Sequence, residues 1–262
     1  MRRLSLRRTD LASLLSRLEA LRGAAFEDRA AREVESLLAF ARDAEGPVLA
    51  DAMRSCGLFR DVYGRYAAGK EMLEADALLA RGTGIAGLGR GEGGDFAGRS
   101  YARVGDLFEH IDFSGCQAFV MVGCGPLPVT LLHVAERTRV PRLIGLDVES
   151  EAVSSARALC RCFHLDRAEI RQCDGCEFDY GSADVIYVAN LVRPKRAMLC
   201  RVADTIRPGA RVVVREPSAA GELLAERGVL PGDDRWQVVG RGPEDRQFLS
   251  YHLYLAPLHR HL

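Results

Sequence analysis

Gln117-Ala118-Phe119-Val120-Met121-Val122-Gly123-Cys124-Gly125-Pro126 reads as a short buried strand running straight into a glycine turn. The turn is followed by helix-forming sequence, Leu127 to Arg137. The same alternation then repeats. Arg142–Val148 is a second strand and Glu151–Phe163 a helix; Glu169–Gln172 is a third strand. Asp184–Ala189 is a fourth, followed by a helix over Lys195–Ile206, and Arg211–Arg215 is a fifth. Strands alternating with helices of ten to fifteen residues predict a parallel, doubly wound sheet. Trp236–Val239 and Phe248–Leu255 are joined by a Gly/Pro-rich turn and predict an antiparallel hairpin at the sheet edge. Before residue 116 the apolar spacing is helical instead. Leu11, Leu14, Leu15, Leu18 and Leu21 follow a Thr9 or Asp10 cap, and further helices are expected over Ala31–Ala41, Val48–Leu58 and Tyr63–Leu79.

Two domains are therefore expected, an all-helical one over 1–112 and an α/β one over 113–262. Between the last helix and the first strand, residues 82–98 carry eight glycines in seventeen positions and read as a loop, either a lid or a plain surface segment. Gly82-Thr83-Gly84-Ile85-Ala86-Gly87 is a literal GxGxxG there, but it follows a helix, whereas a dinucleotide turn must follow a strand.

The 262 residues are 48% apolar and 27% charged, with formal net charge zero. That balance gives no basic footprint for nucleic acid or an anionic membrane. No run of 18 apolar residues is present, and the basic start Met1–Arg8 is not followed by the apolar core of a secretory signal. A cytoplasmic location is expected. The eight cysteines are scattered, which suits reduced thiols. Cys173 and Cys176 have CxxC spacing but lack a second pair, and His110, His133, His164 and His252 are spread out, so no metal site is expected.

Three positions point to a cofactor. Gly123 and Gly125 stand at the carboxyl end of the first strand, where open α/β sheets bind ligands and where backbone must approach closely. Cys124, Pro126 and Leu127 complete the turn, with Pro126 placed for the first helical position. The third glycine of a pyrophosphate-binding turn is missing. Asp147 ends the second strand and, having only acceptor oxygens, suits ribose hydroxyls; Val148 follows it. Asp174 and Gly175 follow the third strand, where a carboxylate suits an adenine amino group. The combination predicts S-adenosylmethionine, which has no pyrophosphate, on a fold that looks like the class I methyltransferase fold.

Val122-Gly123-Cys124-Gly125-Pro126-Leu127-Pro128-Val129-Thr130 resembles the VGSGPLPLT signature of nicotianamine synthases, with Cys124 in place of serine. Gly69-Lys70-Glu71-Met72-Leu73-Glu74 is similar to that family's GEAEGLLE helix. Tyr101 with Val104 and Leu107 is similar to its NYxxLxxLE segment, although the trailing acid, Glu109, comes one residue late. Ala189-Asn190-Leu191-Val192 resembles its AALV turn, and Val214–Ala219 its LLRSAHG segment without the His-Gly. The likeness extends over roughly 60–240 and is greatest to the bacterial branch that builds opine metallophores such as staphylopine and pseudopaline.

The resemblance implies transfer of the 2-aminobutanoyl arm of S-adenosylmethionine to the α-amine of histidine, L-histidine in particular, with methylthioadenosine released. The product would pass to an opine dehydrogenase, and a homodimer is the assembly considered. Glu74 and Tyr101 are then the catalytic candidates, Asn190 and Leu191 cofactor contacts, and Arg215 and Pro128 substrate contacts. On residue type alone a glutamate on a charged helix face is solvated, a tyrosine beside Val104 and Leu107 is packing, and Arg215 serves a carboxylate or a structural ion pair equally well. Two rival functions share the cofactor residues: a small-molecule methyltransferase and a non-catalytic cofactor-binding protein.

Overall fold

The computed structural model describes residues 8–21, 28–82, 98, 101 and 104–258. Helices α1 (Arg8–Glu19), α2 (Asp28–Asp43), α3 (Gly46–Met53) and α4 (Cys56–Arg81) come first. A short helix, α5 (Leu107–His110), leads into β1 (Ala118–Val122). Then follow α6 (Val129–Arg137), β2 (Arg142–Asp147), α7 (Ser150–Cys162), β3 (Ala168–Gln172), β4 (Val185–Val188), α8 (Lys195–Thr205), β5 (Arg211–Pro217), β6 (Trp236–Arg241) and β7 (Ser250–Pro257). All seven strands form one sheet in the order β3-β2-β1-β4-β5-β7-β6. The first five are parallel, and β7 pairs antiparallel with both β5 and β6. This is the α/β, methyltransferase-like sheet with its terminal hairpin that the strand pattern predicts.

Side chains alternate across each strand, so each face of the sheet buries its own core. Phe119, Met121, Leu143, Tyr187, Val213 and Tyr254 meet α5, α6 and α7 on one face. Val120, Ile144, Ile186, Val188, Val214 and Leu253 meet α8 on the other. The amino-terminal helices bury a third cluster around Leu14, Leu18, Leu37, Phe40 and Phe59, which also takes in Leu223, Leu224 and Leu249 from beside the sheet.

Helix α4 joins these bodies. Its first half contributes Phe59, Val62 and Tyr63 to the helical cluster. Its second half contributes Ala75 and Leu78 to a fourth cluster with Leu127, Val129, Leu132, Leu159 and Phe163. It ends at Gly82, whose φ of 61° is a left-handed cap and whose N–H donates to Leu78 O at 3.2 Å.

Several boundaries differ from the sequence pattern. The break expected after Leu58 falls at 54–55, and α4 runs unbroken through Gly57, Gly64 and Gly69 because tertiary packing offsets their weak helix propensity. Helix α6 starts at Val129, with Pro128 at its N-cap, so Pro126 lies in the turn rather than in the first helical turn. Strand β5 continues to Pro217 because β7 pairs with it that far. The glycine-rich stretch lies outside the described residues apart from Gly82 and Gly98.

On β5, Arg215 and Glu216 point to opposite faces. Glu216 is fully buried on the α8 side and accepts from the N–H groups of Gly228 and Val229 at 3.0 and 3.2 Å. Lys195, also fully buried, donates its Nζ to Arg215 O at 2.9 Å. Burial pulls the Lys195 ammonium down and pushes the Glu216 carboxyl up, while the attraction between the two opposes both shifts.

Truncating Phe59 opens a cavity in the cluster that anchors α4. Phe59→Ala is expected to destabilise the protein by about 3–5 kcal/mol, read as a lower urea midpoint at unchanged slope.

Candidate active site

In the strand order the chain reverses direction between β1 and β4, and a crevice opens outside their carboxyl ends. A cavity of about 920 Å³ occupies that place. Such a volume suits a small-molecule ligand, for which ~300–1,000 Å³ is usual.

The glycine turn forms its floor. Gly123 and Gly125 have φ of 71° and 65°, a region costly for other residues. Both are also closely approached. A Cβ on Gly123 would stand 2.5 Å from Val192 Cγ2, and one on Gly125 2.5 Å from Glu71 Oε2. The N–H groups of Gly123 and Cys124 both donate to Leu146 O. Cys124 turns inward beneath the turn, and Gly145 on β2 leaves room for it; a Cβ there would meet the Cys124 sulfur at 3.2 Å. Burial raises the Cys124 thiol well above its ordinary pKa.

Two acids rim the cavity. Asp147 Oδ2 accepts from Gly125 N–H at 2.8 Å, and Oδ1 accepts from Glu149 N–H at 3.1 Å. Each oxygen keeps a second lone pair for a ligand hydroxyl. Asp174 Oδ1 accepts from Cys176 N–H at 2.8 Å, which shapes the turn after β3. Backbone pairing from Cys173 N–H to Asp147 O ties the two acid-bearing ends together. Val148 lies between them, 54% exposed, as an apolar surface at the cavity rim. Gly175 packs under the cavity, and its carbonyl accepts from Tyr180 Oη at 2.8 Å.

Asn190 and Leu191, just past β4, line the opposite wall. Asn190 Oδ1 is buried and has no hydrogen-bond partner among the described residues. Arg215 also lines the cavity. Its Nε and Nη2 donate to Ser250 Oγ at 2.9 and 2.8 Å, and Asp245 lies 3.8 Å from Nη2. These contacts fix the guanidinium plane and leave Nη1 without a hydrogen-bond partner among the described residues. Helix α4 supplies the roof with Arg60, Gly64, Ala68 and Glu71. Arg193 in the loop after β4 pairs with Asp61 of α4 at 2.9 Å.

The structure thus brings Gly123, Cys124, Gly125, Pro126, Leu127, Asp147, Val148, Asp174, Gly175, Asn190, Leu191 and Arg215 to one cavity. It does not bring Glu74, Tyr101 or Pro128 there. Glu71, one turn before Glu74, is the glutamate at the glycine turn, because the α4 face packed on α6 and α7 sets the helix phase. Tyr101 is buried in the apolar cluster beside α6, its ring stacked on His133 at 4.0 Å, and its hydroxyl has no partner among the described residues. His133 is buried with it and pulled down to about 4, chiefly by desolvation. Pro128 is an N-cap, pointing its role to the helix start. Two tyrosines do line the cavity, Tyr63 on α4 and Tyr187 on β4, and the strand pattern marks Tyr187 only as a buried position.

Fold and cavity together define a class I, methyltransferase-like protein with its ligand crevice at the β1/β4 switch point. Comparison with known proteins narrows this. No protein-family model matches the chain. It is 30% identical over 145 residues to an L-histidine 2-aminobutanoyltransferase of Pseudomonas aeruginosa strain PAO1, covering 52% of this chain and 54% of that enzyme. The enzyme of the same name from strain UCBPP-PA14 is 31% identical over 147 residues, with the same coverage. The match therefore spans about half the length of these relatives. Among solved structures, the nicotianamine synthase MtNAS in complex with MTA and tNA superposes with a TM-score of 0.73 at 17% identity, over 96% of this chain and 98% of that one. An MtNAS variant in complex with S-adenosylmethionine gives 0.69 at 17% identity, over 95% and 97%. The helical half is thus part of the shared fold. The sequence relatives carry the 2-aminobutanoyltransferase name that the likeness of Val122–Thr130 implies, and the MtNAS structures share this chain's fold.

Thiol reactivity checks the packing around the turn. Cys116, Cys124 and Cys160 are buried and their thiols raised by burial. Peptide mapping after iodoacetamide treatment should find them modified only on unfolding, after the half-buried Cys56, Cys162, Cys173, Cys176 and Cys200.

Proposed function

We propose that this chain is an S-adenosylmethionine-dependent transferase that moves the 2-aminobutanoyl (3-amino-3-carboxypropyl) arm to the α-amine of L-histidine and releases methylthioadenosine. The observation that carries this reading is the placement of Glu71. A helix from outside the α/β unit lays a carboxylate on the glycine turn, within 2.5 Å of where a Gly125 Cβ would be. The reading is supported by the names of the curated relatives and by a likeness to MtNAS that takes in the helical half.

The residues fit S-adenosylmethionine. The positive-φ glycines leave room for close backbone approach, and Asp147 retains lone pairs for ribose hydroxyls. Val148 offers an apolar face to the adenine ring, and Asp174 an acceptor for its amino group. Asn190 Oδ1 is an unmet acceptor for the methionine ammonium. Arg215 Nη1 suits a carboxylate.

When bound, the sulfonium offers three electrophilic carbons. Choosing among them is a matter of orientation, and alignment of reactants can supply ~7–11 kcal/mol. Helix α4 and the loop after β4 provide that alignment by covering the cavity from the Gly125 side. Glu71 attracts the incoming α-ammonium and holds it beside the methionine arm. We further propose that the product feeds an opine-type metallophore through a dehydrogenase that condenses it with a 2-oxo acid, in the cytoplasm.

Incubation with S-adenosylmethionine and L-histidine should yield methylthioadenosine and an aminobutanoyl-histidine by mass spectrometry. S-adenosylhomocysteine in its place would make the protein a methyltransferase, and tight cofactor binding with no turnover would make it a binding protein. Asp147→Ala should weaken S-adenosylmethionine binding by ~1.5–3 kcal/mol, the scale of lost charged hydrogen bonds, on calorimetry. Glu71→Gln should leave that affinity nearly unchanged and raise the KM for L-histidine by roughly tenfold or more, the scale of a lost hydrogen bond to a charged group, whereas Glu74→Gln, away from the cavity, should stay near wild type.

A further inference from the structure

Behind the cavity wall lies a buried hydrogen-bonded chain. Tyr187 Oη, on β4, is 3.0 Å from His252 Nε2 on β7. His252 Nδ1 is 2.8 and 2.9 Å from the two carboxylate oxygens of Asp106. Tyr187 and His252 are 2% and 3% exposed. The carboxylate only accepts, so Nδ1 carries the proton, and in the neutral ring Nε2 accepts from the tyrosine hydroxyl.

The chain's two ends open on different spaces. Tyr187 lines the main cavity. His252 and Asp106 line a second cavity of about 270 Å³ together with Arg215, Glu244 and Asp245. Arg215 borders both spaces and is the register partner of His252 across β5 and β7. Tyr254 Oη donates to Asp106 O at 3.3 Å, and His110 Nδ1 is 3.0 Å from the same oxygen. Burial works to raise the Asp106 carboxyl, but the hydrogen bond and charge of His252 prevail and hold it below its ordinary value.

An α-ammonium cannot attack carbon until it loses a proton. We propose that Tyr187, His252 and Asp106 form the relay that takes this proton from the acceptor amine and passes it toward the second cavity. This inference rests on the aminobutanoyl-transfer reading above. Tyr187 Oη accepts the ammonium proton while giving its own to His252 Nε2, and Asp106 balances the imidazolium. The freed lone pair forms the N–C bond, the C–S electron pair goes to sulfur, and neutral methylthioadenosine leaves. Two positive charges enter, on ammonium and sulfonium, and two remain, on the secondary ammonium and His252. Imidazole, with a reference pKa of about 6.5, is closer to an α-amine than a carboxylate is, which favours it as the acceptor. Arg215, Glu244 and Asp245 modulate the charge that His252 bears. Tyr187 is the catalytic residue here, and His252 and Asp106 act through it.

The test is steady-state kinetics of Tyr187→Phe and His252→Gln with S-adenosylmethionine and L-histidine, following methylthioadenosine. Both variants should bind S-adenosylmethionine like wild type on calorimetry, keep KM within about twofold and lose roughly 10²-fold in kcat, the scale of a lost general base. The acidic limb of the kcat–pH profile should disappear in His252→Gln. In His252→Gly, added imidazoles should restore turnover, with rates that follow their basicity. Wild-type kcat in Tyr187→Phe or His252→Gln, or restoration independent of imidazole basicity, overturns the relay and leaves the transfer reading intact. A wild-type protein that releases S-adenosylhomocysteine overturns the transfer reading, and the relay with it.

Discussion

The arrangement depends on α4 being held at both ends by different cores. Phe59, Val62 and Tyr63 fix one end in the helical cluster, and Ala75 and Leu78 fix the other against α6 and α7. A helix rises about 1.5 Å per residue, so with both ends anchored its middle can neither rotate nor slide. Glu71 is in that middle, and the rigid span delivers its carboxylate to the glycine turn. The close contact at Gly125 is the point where the constraint reaches the chemistry.

The cavity is polar where backbone has already been satisfied and unsatisfied where a ligand is wanted. Leu146 O takes both N–H groups at the turn, and Asp147 takes that of Gly125. These bonds make the floor stiff before anything binds. The unmet acceptor at Asn190 and the Nη1 of Arg215, without a hydrogen-bond partner among the described residues, stand elsewhere on the cavity wall. Preorganisation of this kind lowers the ordering cost of binding.

Much of this was legible in the residues. Strands and helices from 116 onward could be placed within a few positions because buried parallel strands are short apolar runs bounded by turns. The turn and the two acids follow from strand ends alone, which fix location without fixing side-chain direction. What could not be read was phase. Glu71 and Glu74 share one helical motif, and only the packing of Ala75 and Leu78 decides which of them meets the turn. Tyr101 carries the motif's aromatic ring, yet stacking on His133 takes it into the core. Tyr187 was hidden for the opposite reason: in an all-buried strand nothing in the sequence marks one face as the wall of a cavity. Its partners, Asp106 and His252, are 146 positions apart and meet only through sheet closure.

The alternation of Arg215 and Glu216 along β5 has a consequence for anyone moving this site to another scaffold. Arg215 serves the cavity, while Glu216 and Lys195 are sealed behind the sheet, each satisfied by backbone groups. The two functions are separated by one peptide unit and nothing else. A one-residue slip of β5 against β7 would present an anion to the cavity and bury an unmatched guanidinium beside Lys195. The antiparallel pairing of β7 with β5 therefore sets the sign of the cavity's charge, and a graft would need β7 as much as the residues it displays.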